Sequence, residues 1–190
     1  MAAEDRAPAF TQPVVLVLAS GRGERFAASG GAVHKLSALL NGKTVLEHTL
    51  AAVRASGLPW HLENAGHPGM GDSIAAAVRA TADAPGWLVL PGDLPLVQPH
   101  TLRTIAAALA DCAVAVPVHL GERGHPVGFP AQCLQGLLAL RGEQGAASVV
   151  RQQVQQGRVR LVDVDDVGTV TDVDTVQDLE RVAHWLAARG

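Results

Sequence analysis

Short, uninterrupted aliphatic runs that alternate with helical segments constrain the fold of this chain more than any other feature. Val14–Leu18 is a continuous run of Val and Leu, and comparable runs stand at residues 87–90 and 113–118. Such runs are typical of parallel strands covered on both faces. Further strands are predicted at Trp60–Glu63 and 158–164. The pattern predicts an α/β fold of three αβα layers around a mostly parallel, mixed sheet.

Amphipathic segments fill the intervals between these runs. Apolar spacing, with Gly57 as a stop signal, predicts a helix over residues 44–56. Asp72 or Ser73 is predicted to cap a helix that ends near residue 82. Further helices are predicted at 99–110, 132–140, 146–155 and 175–188, with a loop at 26–35 and a turn at 120–126. A flexible leader, residues 1–12, then precedes a single domain at 13–190.

Composition excludes several classes of function. The 190 residues carry 15 basic and 18 acidic side chains, a net charge of −3, which argues against nucleic acid or a membrane surface as a partner. The longest apolar runs fall far short of the ~20 residues of a membrane span, and the leader does not resemble a signal peptide. Cys112 and Cys133 lie in apolar segments and are predicted to be buried free thiols. Free thiols are typical of a reducing compartment, so we expect a cytoplasmic protein.

The loop after the first strand carries the first candidate site. In open α/β sheets, ligands bind beyond the carboxyl ends of the strands. Gly21 and Gly23 follow Val14–Leu18 there, with Arg25 and Lys35 after them. Glycines let backbone N–H groups approach an anion, and the two cations would neutralise phosphate charge. An ordinary turn with solvated basic residues fits the spacing equally well, since neither a Walker loop nor a Gly-x-Gly-x-x-Gly fingerprint is present.

Asp93 is the second candidate. It follows the predicted strand at 87–90 within Leu90-Pro-Gly-Asp-Leu-Pro95, where prolines and a glycine hold it at the edge of the sheet. A fixed carboxylate beside a phosphate-binding loop suits Mg²⁺, which takes one or two carboxylates together with substrate oxygens. A lone Asp at a strand end is also a common turn or cap residue.

A group of aspartates near the C terminus and a set of histidines complete the candidates. The aspartates are Asp163, Asp165, Asp166, Asp172, Asp174 and Asp178. Their spacing from Asp163 partly matches a calcium loop, but Val167 stands at position 5 and position 12 lacks Glu, which disfavours an EF-hand. Solvated strand edges and helix N-termini account for most of these carboxylates. Surface or half-buried positions are expected for His34, His48 and His184, whereas His125 lies in a Gly-His-Pro turn that can reach over the pocket.

Five short segments, spread in order over residues 18–179, form a set. They are Leu18-Ala-Ser-Gly-Arg-Gly-Glu-Arg25 with Lys35, Gly69-Met-Gly-Asp-Ser-Ile74, Leu90-Pro-Gly-Asp-Leu-Pro-Leu-Val97, Arg123-Gly-His-Pro-Val127 and Thr171-Asp-Val-Asp-Thr-Val-Gln-Asp-Leu179. In this order they resemble the motifs of the molybdenum cofactor (molybdopterin) cytidylyltransferase family. Each match is weak alone, and it is their order that carries the resemblance.

The resemblance implies a nucleotide-diphospho-sugar-transferase-like fold and Mg²⁺-dependent transfer of CMP from CTP to the phosphate of molybdopterin, with release of pyrophosphate. It implies catalytic roles for Arg25, Lys35 and Asp93 and an acceptor-side role for His125. Asp93 and Asp172 would bind the metal, with Asp174 as the alternative to Asp172. The nucleotide would be bound by Leu18, Ala19, Ser20, Gly21, Gly23, Gly71 and Ser73. A molybdoenzyme or its chaperone is the implied protein partner.

The middle of the chain departs from the family pattern. Only residues 58–68 separate the predicted helix at 44–56 from the Gly-Met-Gly segment, whereas a parallel crossover takes a dozen or more residues. We therefore expect a shortened middle region that lacks a strand–helix unit usual in these enzymes. Ser20 and Val176 also replace an alanine and a proline of the family motifs. Three alternatives stay open: GTP as the donor, a sugar phosphate as the acceptor, and a non-catalytic module that holds cofactor for delivery.

Overall fold

The structure, a computed structural model, describes residues 10–21 and 23–188. Residues 1–9 of the expected leader lie outside the described residues. Phe10, the first described residue, packs against the core. The extent of the leader and the single domain at 13–190 stay predictions.

One mixed sheet organises the described residues. Its strands are β1 (Val14–Leu18), β4 (Trp60–Glu63), β5 (Gly86–Pro91), β6 (Val114–His119), β7 (Glu122–Arg123), β8 (Val127–Pro130) and β9 (Val159–Asp163), and a separate hairpin joins β2 (Leu39–Leu40) to β3 (Lys43–Thr44). The order is β4–β1–β5–β8–β6, with β9 paired to β6 and β7 forming a hairpin with the end of β6. Strand β1 runs parallel to β4 and β5, whereas β8 is antiparallel to β5 and β6.

Helices cover both faces of the sheet. They are α1 (Glu24–Ala28), α2 (Val45–Ser56), α3 (Met70–Ala80), α4 (Pro99–Ala108), α5 (Leu134–Leu138), α6 (Ala147–Gln155) and α7 (Val176–Ala188). Because successive side chains of a strand point to opposite faces, β1 gives Val14 and Leu16 to the core that contains α3 and α5, and Val15 and Val17 to the core that contains α2 and α4. The predicted three-layer α/β architecture is confirmed. None of the helices in the described part of the chain is long and apolar enough to cross a membrane.

The middle of the chain contributes one strand to the edge of the sheet. Strand β4 is the terminal strand on its side, and the chain passes from it to α3 through six residues, 64–69. No further strand of the described chain lies beyond β4. The described chain thus has one strand, β4, and one helix, α3, between α2 and β5, and the loss of a strand–helix unit relative to the family stays a prediction.

Several local predictions were wrong. Residues 26–35, predicted as a loop, begin inside helix α1. Helix α3 begins at Met70, with Gly69 rather than Asp72 or Ser73 at its N-cap, because Asp72 instead accepts a 2.8 Å hydrogen bond from the Gly142 amide. Cys133 is a buried free thiol as predicted, but Cys112 is an exposed one, because it ends a turn with φ of 55°.

Candidate active site

The carboxyl ends of β1 and β5 are held together by backbone contacts. The Gly92 amide donates to the Leu18 carbonyl at 2.9 Å. A Cβ at Gly92 would lie 3.0 Å from that same oxygen, so a side chain would push the two strand ends apart. This close approach places Asp93 beside the loop that follows β1.

His34 holds the loop that contains Gly21 and Gly23, called here the glycine loop. Its Nδ1 accepts a hydrogen bond from the Leu36 amide at 3.3 Å, so Nε2 carries the ring proton and donates to the Gly21 carbonyl at 2.6 Å. Gly23 packs against the same ring and adopts φ of 65°, which favours glycine. The sequence predicted only a surface or half-buried position for His34 and no role in the site. Its place directly before Lys35 was the one available signal.

Lys35 lies between two carboxylates. Its Nζ donates to Asp93 Oδ2 at 2.5 Å and to Asp174 Oδ1 at 2.8 Å. The side chains of Lys35 and Asp93 are only 13% and 14% exposed, so solvent screens this contact weakly. Partial burial opposes the charge on Lys35, but Asp93 and Asp174 outweigh it and raise the pKa of the ammonium group. Lys35 is therefore a fixed cation at neutral pH. Arg25, whose side chain is largely exposed, pairs with Asp174 from the solvent side.

Three carboxylates converge at this point. One oxygen each of Asp93, Asp172 and Asp174 lies within 4.8 Å of the other two. Asp93 Oδ1 is buried and has no hydrogen-bond partner among the described residues. Burial and the nearby charges of Asp174 and Asp93 raise the pKa of Asp172. An unsatisfied buried oxygen and mutually repelling carboxylates fit a divalent cation of the Mg²⁺ type, which prefers carboxylate ligands.

Asp166 and Asp178, two further aspartates of the C-terminal group, hold local structure together by hydrogen bonds. Asp166 is buried and anchors α4 by accepting bonds from the Gln98 amide at 2.9 Å and Thr101 Oγ1 at 2.7 Å. Asp178 accepts a 2.8 Å hydrogen bond from the Thr175 amide at the start of α7. The segment between them reaches the site because the Val173 amide donates to the Asp93 carbonyl at 3.0 Å.

A cavity of about 360 Å³ with both charged and apolar lining residues, called here the first cavity, opens at the glycine loop. Residues with predicted roles line it: Leu18, Ser20, Gly21, Gly23, Arg25, Lys35, Asp93 and Asp174. Gly71 and Ser73 lie behind its wall, which Gly69 and Met70 form on that side. Ser73 is buried and its hydroxyl lies 2.5 Å from that of Ser20. Ala19 holds the loop to β4, since its amide donates to the Glu63 carbonyl at 2.8 Å.

An apolar cavity of about 390 Å³, the second cavity, shares Leu18, Met70 and Pro91 with the first. Its lining is mostly aliphatic, with Arg123, Arg151 and His125 among the polar exceptions. Neither arginine forms an ion pair within the described part of the chain. Burial lowers the pKa of His125, and the charge of Asp93 opposes this shift only in part. His125 is therefore a neutral imidazole at neutral pH.

Comparison with known sequences identifies the domain type. A family model described as the MobA-like NTP transferase domain matches residues 50–159, which is more than half of the chain. The purine catabolism protein PucB of Bacillus subtilis is 27% identical over 121 residues, covering 63% of this chain and 58% of PucB. The bifunctional protein GlmU of Xanthobacter autotrophicus is 33% identical over 166 residues, covering 71% of this chain and 35% of GlmU. The chain thus spans less than two thirds of the length of these relatives.

Solved structures share the whole fold. A nucleotidyl transferase from Methanothermobacter thermautotroptrophicus superposes with a TM-score of 0.80 at 21% identity, covering 95% of this chain and 100% of that chain. The manganese complex of Rv0371c from Mycobacterium tuberculosis gives a TM-score of 0.67 at 24% identity over 93% and 100% of the two chains. The molybdopterin-guanine dinucleotide biosynthesis protein A of Archaeoglobus fulgidus gives 0.61 at 19% identity, again over 93% and 100%. These likenesses confirm the nucleotidyltransferase-like fold.

Proposed function

The chain belongs to the MobA-like NTP transferase domain family, and we propose that it transfers CMP from CTP to the phosphate of molybdopterin, with release of pyrophosphate. Membership of the family makes it a nucleotidyltransferase. The choice of CTP and of molybdopterin rests on the five ordered motifs, and the molybdopterin-related fold neighbour supports it.

The observation that carries the proposal is the position of the charged cluster. Lys35, Asp93 and Asp174 line the first cavity next to Pro91, which the second cavity shares. A nucleotide in the first cavity and an acceptor in the second would therefore meet beside this cluster. Transfer between two bound molecules needs such a meeting point, because holding reactants in contact removes much of the entropic barrier.

The reaction requires little covalent help from the protein. An oxygen of the acceptor phosphate attacks the α-phosphorus of CTP, the bond from that phosphorus to the bridging oxygen breaks, and pyrophosphate leaves with the electron pair. Charge accumulates on the phosphate oxygens, and positioned cations lower the barrier. Lys35 would hold one such charge in place, and Arg25 would reach the triphosphate from solvent. His125, neutral and half-buried on the acceptor side, would orient the acceptor.

Asp93 and Asp172 are the proposed metal ligands, with Asp174 as the alternative to Asp172. The unpartnered Oδ1 of Asp93 supports this assignment. Mg²⁺, when bound there, supplies positive charge to the triphosphate oxygens. Asp174 is already bonded to Lys35 and Arg25, which leaves Asp172 as the carboxylate with less competition for a cation. A manganese complex of a fold neighbour is compatible with a divalent cation at this position.

Release of pyrophosphate tests the proposal. Purified protein is incubated with CTP, Mg²⁺ and molybdenum cofactor, and in parallel with GTP or with a sugar phosphate as acceptor. We expect pyrophosphate with CTP and molybdenum cofactor, and a loss of about 10³-fold in Asp93→Asn, since a metal-binding carboxylate is removed. Asp165→Asn, an exposed aspartate of the C-terminal group, is the matched control and keeps wild-type turnover.

The alternatives give different results in the same assay. Preferred turnover of GTP would indicate a guanylyltransferase, and turnover of a sugar phosphate would identify another acceptor class. Tight binding of cofactor without turnover of any triphosphate would identify a delivery module.

The same proposal includes the cytoplasm as the compartment and a molybdoenzyme or its chaperone as the recipient. The two free thiols support a reducing compartment.

A further inference from the structure

Glu63 is a buried carboxylate with no part in the proposed chemistry. It ends β4 and is only 8% exposed. Its Oε1 accepts a hydrogen bond from the Ala65 amide at 3.1 Å and lies 3.1 Å from His67 Nε2, and its Oε2 lies 3.6 Å from His61 Nε2. A carboxylate buried this well and bonded to a histidine fixes the orientation of that ring.

The contact with Glu63 also sets the hydrogen-bonding character of His67. A carboxylate oxygen accepts, so Nε2 of His67 carries the ring proton and donates it. When the ring is uncharged, its Nδ1 is an acceptor. It has no hydrogen-bond partner within residues 10–21 and 23–188. His67 lines the first cavity, so a ligand in that cavity can contact its ring.

His67 and Asp93 lie on opposite sides of the glycine loop. Glu63 ends β4, which pairs with β1 on one side, and Asp93 follows β5, which pairs with β1 on the other. Adjacent strands are ~4.8 Å apart, so the two ends are separated by roughly 10 Å. If the triphosphate lies beside Lys35 and Asp93, as the proposed function requires, a base directed across the glycine loop within the same cavity would reach His67.

A second acceptor stands at the same end. Glu143 lines the first cavity, and its loop is held against α3. The Gly71 amide donates to the Gly142 carbonyl at 2.8 Å, and Asp72 accepts from the Gly142 amide at 2.8 Å. The base end of the cavity therefore presents two acceptors, a ring nitrogen of His67 and a carboxylate of Glu143.

We propose that His67, oriented by Glu63, and Glu143 select nucleoside triphosphates whose base carries an exocyclic amino group. Cytosine offers two N–H donors at its 4-amino group. Uracil has a carbonyl at the same position, which would face an acceptor and leave it unsatisfied. This inference rests on the proposed function for the location of the triphosphate, and it extends that function by naming the residues that read the base. His67 and Glu143 contact the base, and Glu63 is a positioning residue.

CTP and UTP are the matched probes, because they differ only at the edge of the ring that these acceptors face. Their Kd values are measured by calorimetry with Mg²⁺ and without acceptor, so that turnover is not required. We expect UTP to bind about tenfold or more weakly than CTP to the wild-type protein. His67→Phe keeps the ring shape without its nitrogens, and it should reduce the ratio of the two Kd values to within about threefold.

Two further variants separate base reading from folding. Glu63→Gln keeps the size of the side chain, but a glutamine amide can donate as well as accept, so Nε2 of His67 need not carry the ring proton. The preference for CTP should therefore fall, while the melting temperature should change little. His100→Phe, on the exposed face of α4, is the matched control and should keep the wild-type ratio.

Equal affinity of the wild-type protein for CTP and UTP would overturn the inference. So would an unchanged ratio in His67→Phe. A wild-type protein that prefers CTP through His67 but releases no pyrophosphate with any acceptor would support the base-reading role and overturn the proposed transfer.

Discussion

The two cavities share a wall and differ in almost everything else. The first is lined by the glycine loop and by a lysine held between two carboxylates. The second is of similar size and mostly aliphatic, with two arginines that lack ion pairs within the described chain. The lysine charge of the first cavity is therefore fixed by partners in the protein, whereas the two arginine charges around the second are left for a ligand.

The difference between the two cavities follows from the strands beside them. The first cavity lies at the ends of β1, β4 and β5, where three parallel strands place loops at one edge. The second lies over β8, the antiparallel strand inserted between β5 and β6. Parallel strands bring loop backbone and charged residues together, since their carboxyl ends meet. The antiparallel insertion instead presents the side chains of a strand face, and under the proposed function this apolar surface would bind the body of an acceptor.

The largest effect is expected from the lysine of the first cavity. Lys35→Gln removes a fixed cation while keeping the length of the side chain, and kcat should fall by about 10²–10³-fold, as for the loss of one preorganised donor. Lys43→Gln, in the exposed strand β3, is the matched control. Steady-state release of pyrophosphate measures both. A loss of less than threefold in Lys35→Gln would show that the first cavity does not stabilise the reacting phosphates.

The next largest effect is on the stability of the protein, and it concerns Gly69 in the wall of the first cavity. A Cβ at Gly69 would lie 2.2 Å from the carbonyl carbon of Gly142, so Gly69→Ala must displace the loop that carries Glu143. We expect a loss of about 1–3 kcal/mol in the free energy of unfolding, as for other overpacked sites. Gly66→Ala is the control, because a Cβ there meets nothing within 4 Å. Chemical denaturation measures the difference, and equal stability of the two variants would contradict the close packing.

The regular part of the fold could be predicted from the sequence. Strands β1 and β4 appear at their predicted bounds, and Thr44 caps α2 through a reciprocal contact with Glu47. Long apolar periodicities decide these elements, because burial of one face dominates their stability. The hairpin of β2 and β3 was missed although Asn41-Gly42, with φ of 49° and 85°, is a strong local turn signal.

The site could be predicted only where residues of strong chemical character follow strands. Lys35 and Asp93 were identified in this way and Asp174 only through the family resemblance, and the structure brings the three together. His34 and the pair of Glu63 with His67 were not identified, because their roles depend on contacts made by the folded chain. Placement of β8 between β5 and β6 also depends on pairing across the sheet, which local patterns do not encode.

A smaller effect is expected from the arginines of the second cavity. Arg151→Gln removes one of the two unpaired cations, and the KM for molybdenum cofactor should rise about tenfold, as for the loss of one charge-assisted contact. The Kd of CTP should stay unchanged, because Arg151 does not line the first cavity. Arg158→Gln, an exposed arginine before β9, is the control. A change in CTP affinity with no change in KM for the acceptor would reverse the assignment of the two cavities.

The smallest predicted effect is a change in melting temperature when Asp172 is substituted. It tests whether Asp172 or Asp174 is the second metal ligand. Burial, Asp174 and Asp93 raise the pKa of Asp172 above its ordinary value of 3.8. Because the folded-state pKa is the higher one, the stability that protonated Asp172 contributes is complete below pH 3.8 and is lost as pH rises through the raised pKa. Asp172→Asn cannot ionise and avoids this loss. In EDTA at pH 7, Asp172→Asn should therefore melt up to about 1–2 °C above the wild-type protein, a small effect because solvent screens an exposed carboxylate.

The same melting temperatures are then measured with Mn²⁺ in place of EDTA, where Asp172 is expected to stabilise the protein. Binding to the folded state raises the melting temperature of the wild-type protein, and the rise should be much smaller in Asp172→Asn, because one ligand is gone. Melting curves at pH 3.5 and pH 7, with EDTA or Mn²⁺, give all four comparisons. Retention of the full manganese shift in Asp172→Asn, together with its loss in Asp174→Asn, would make Asp174 the second metal ligand. In that case Lys35 and Arg25 must give up their contacts with Asp174 when the cation binds, and the charges of the first cavity would rearrange rather than stay fixed.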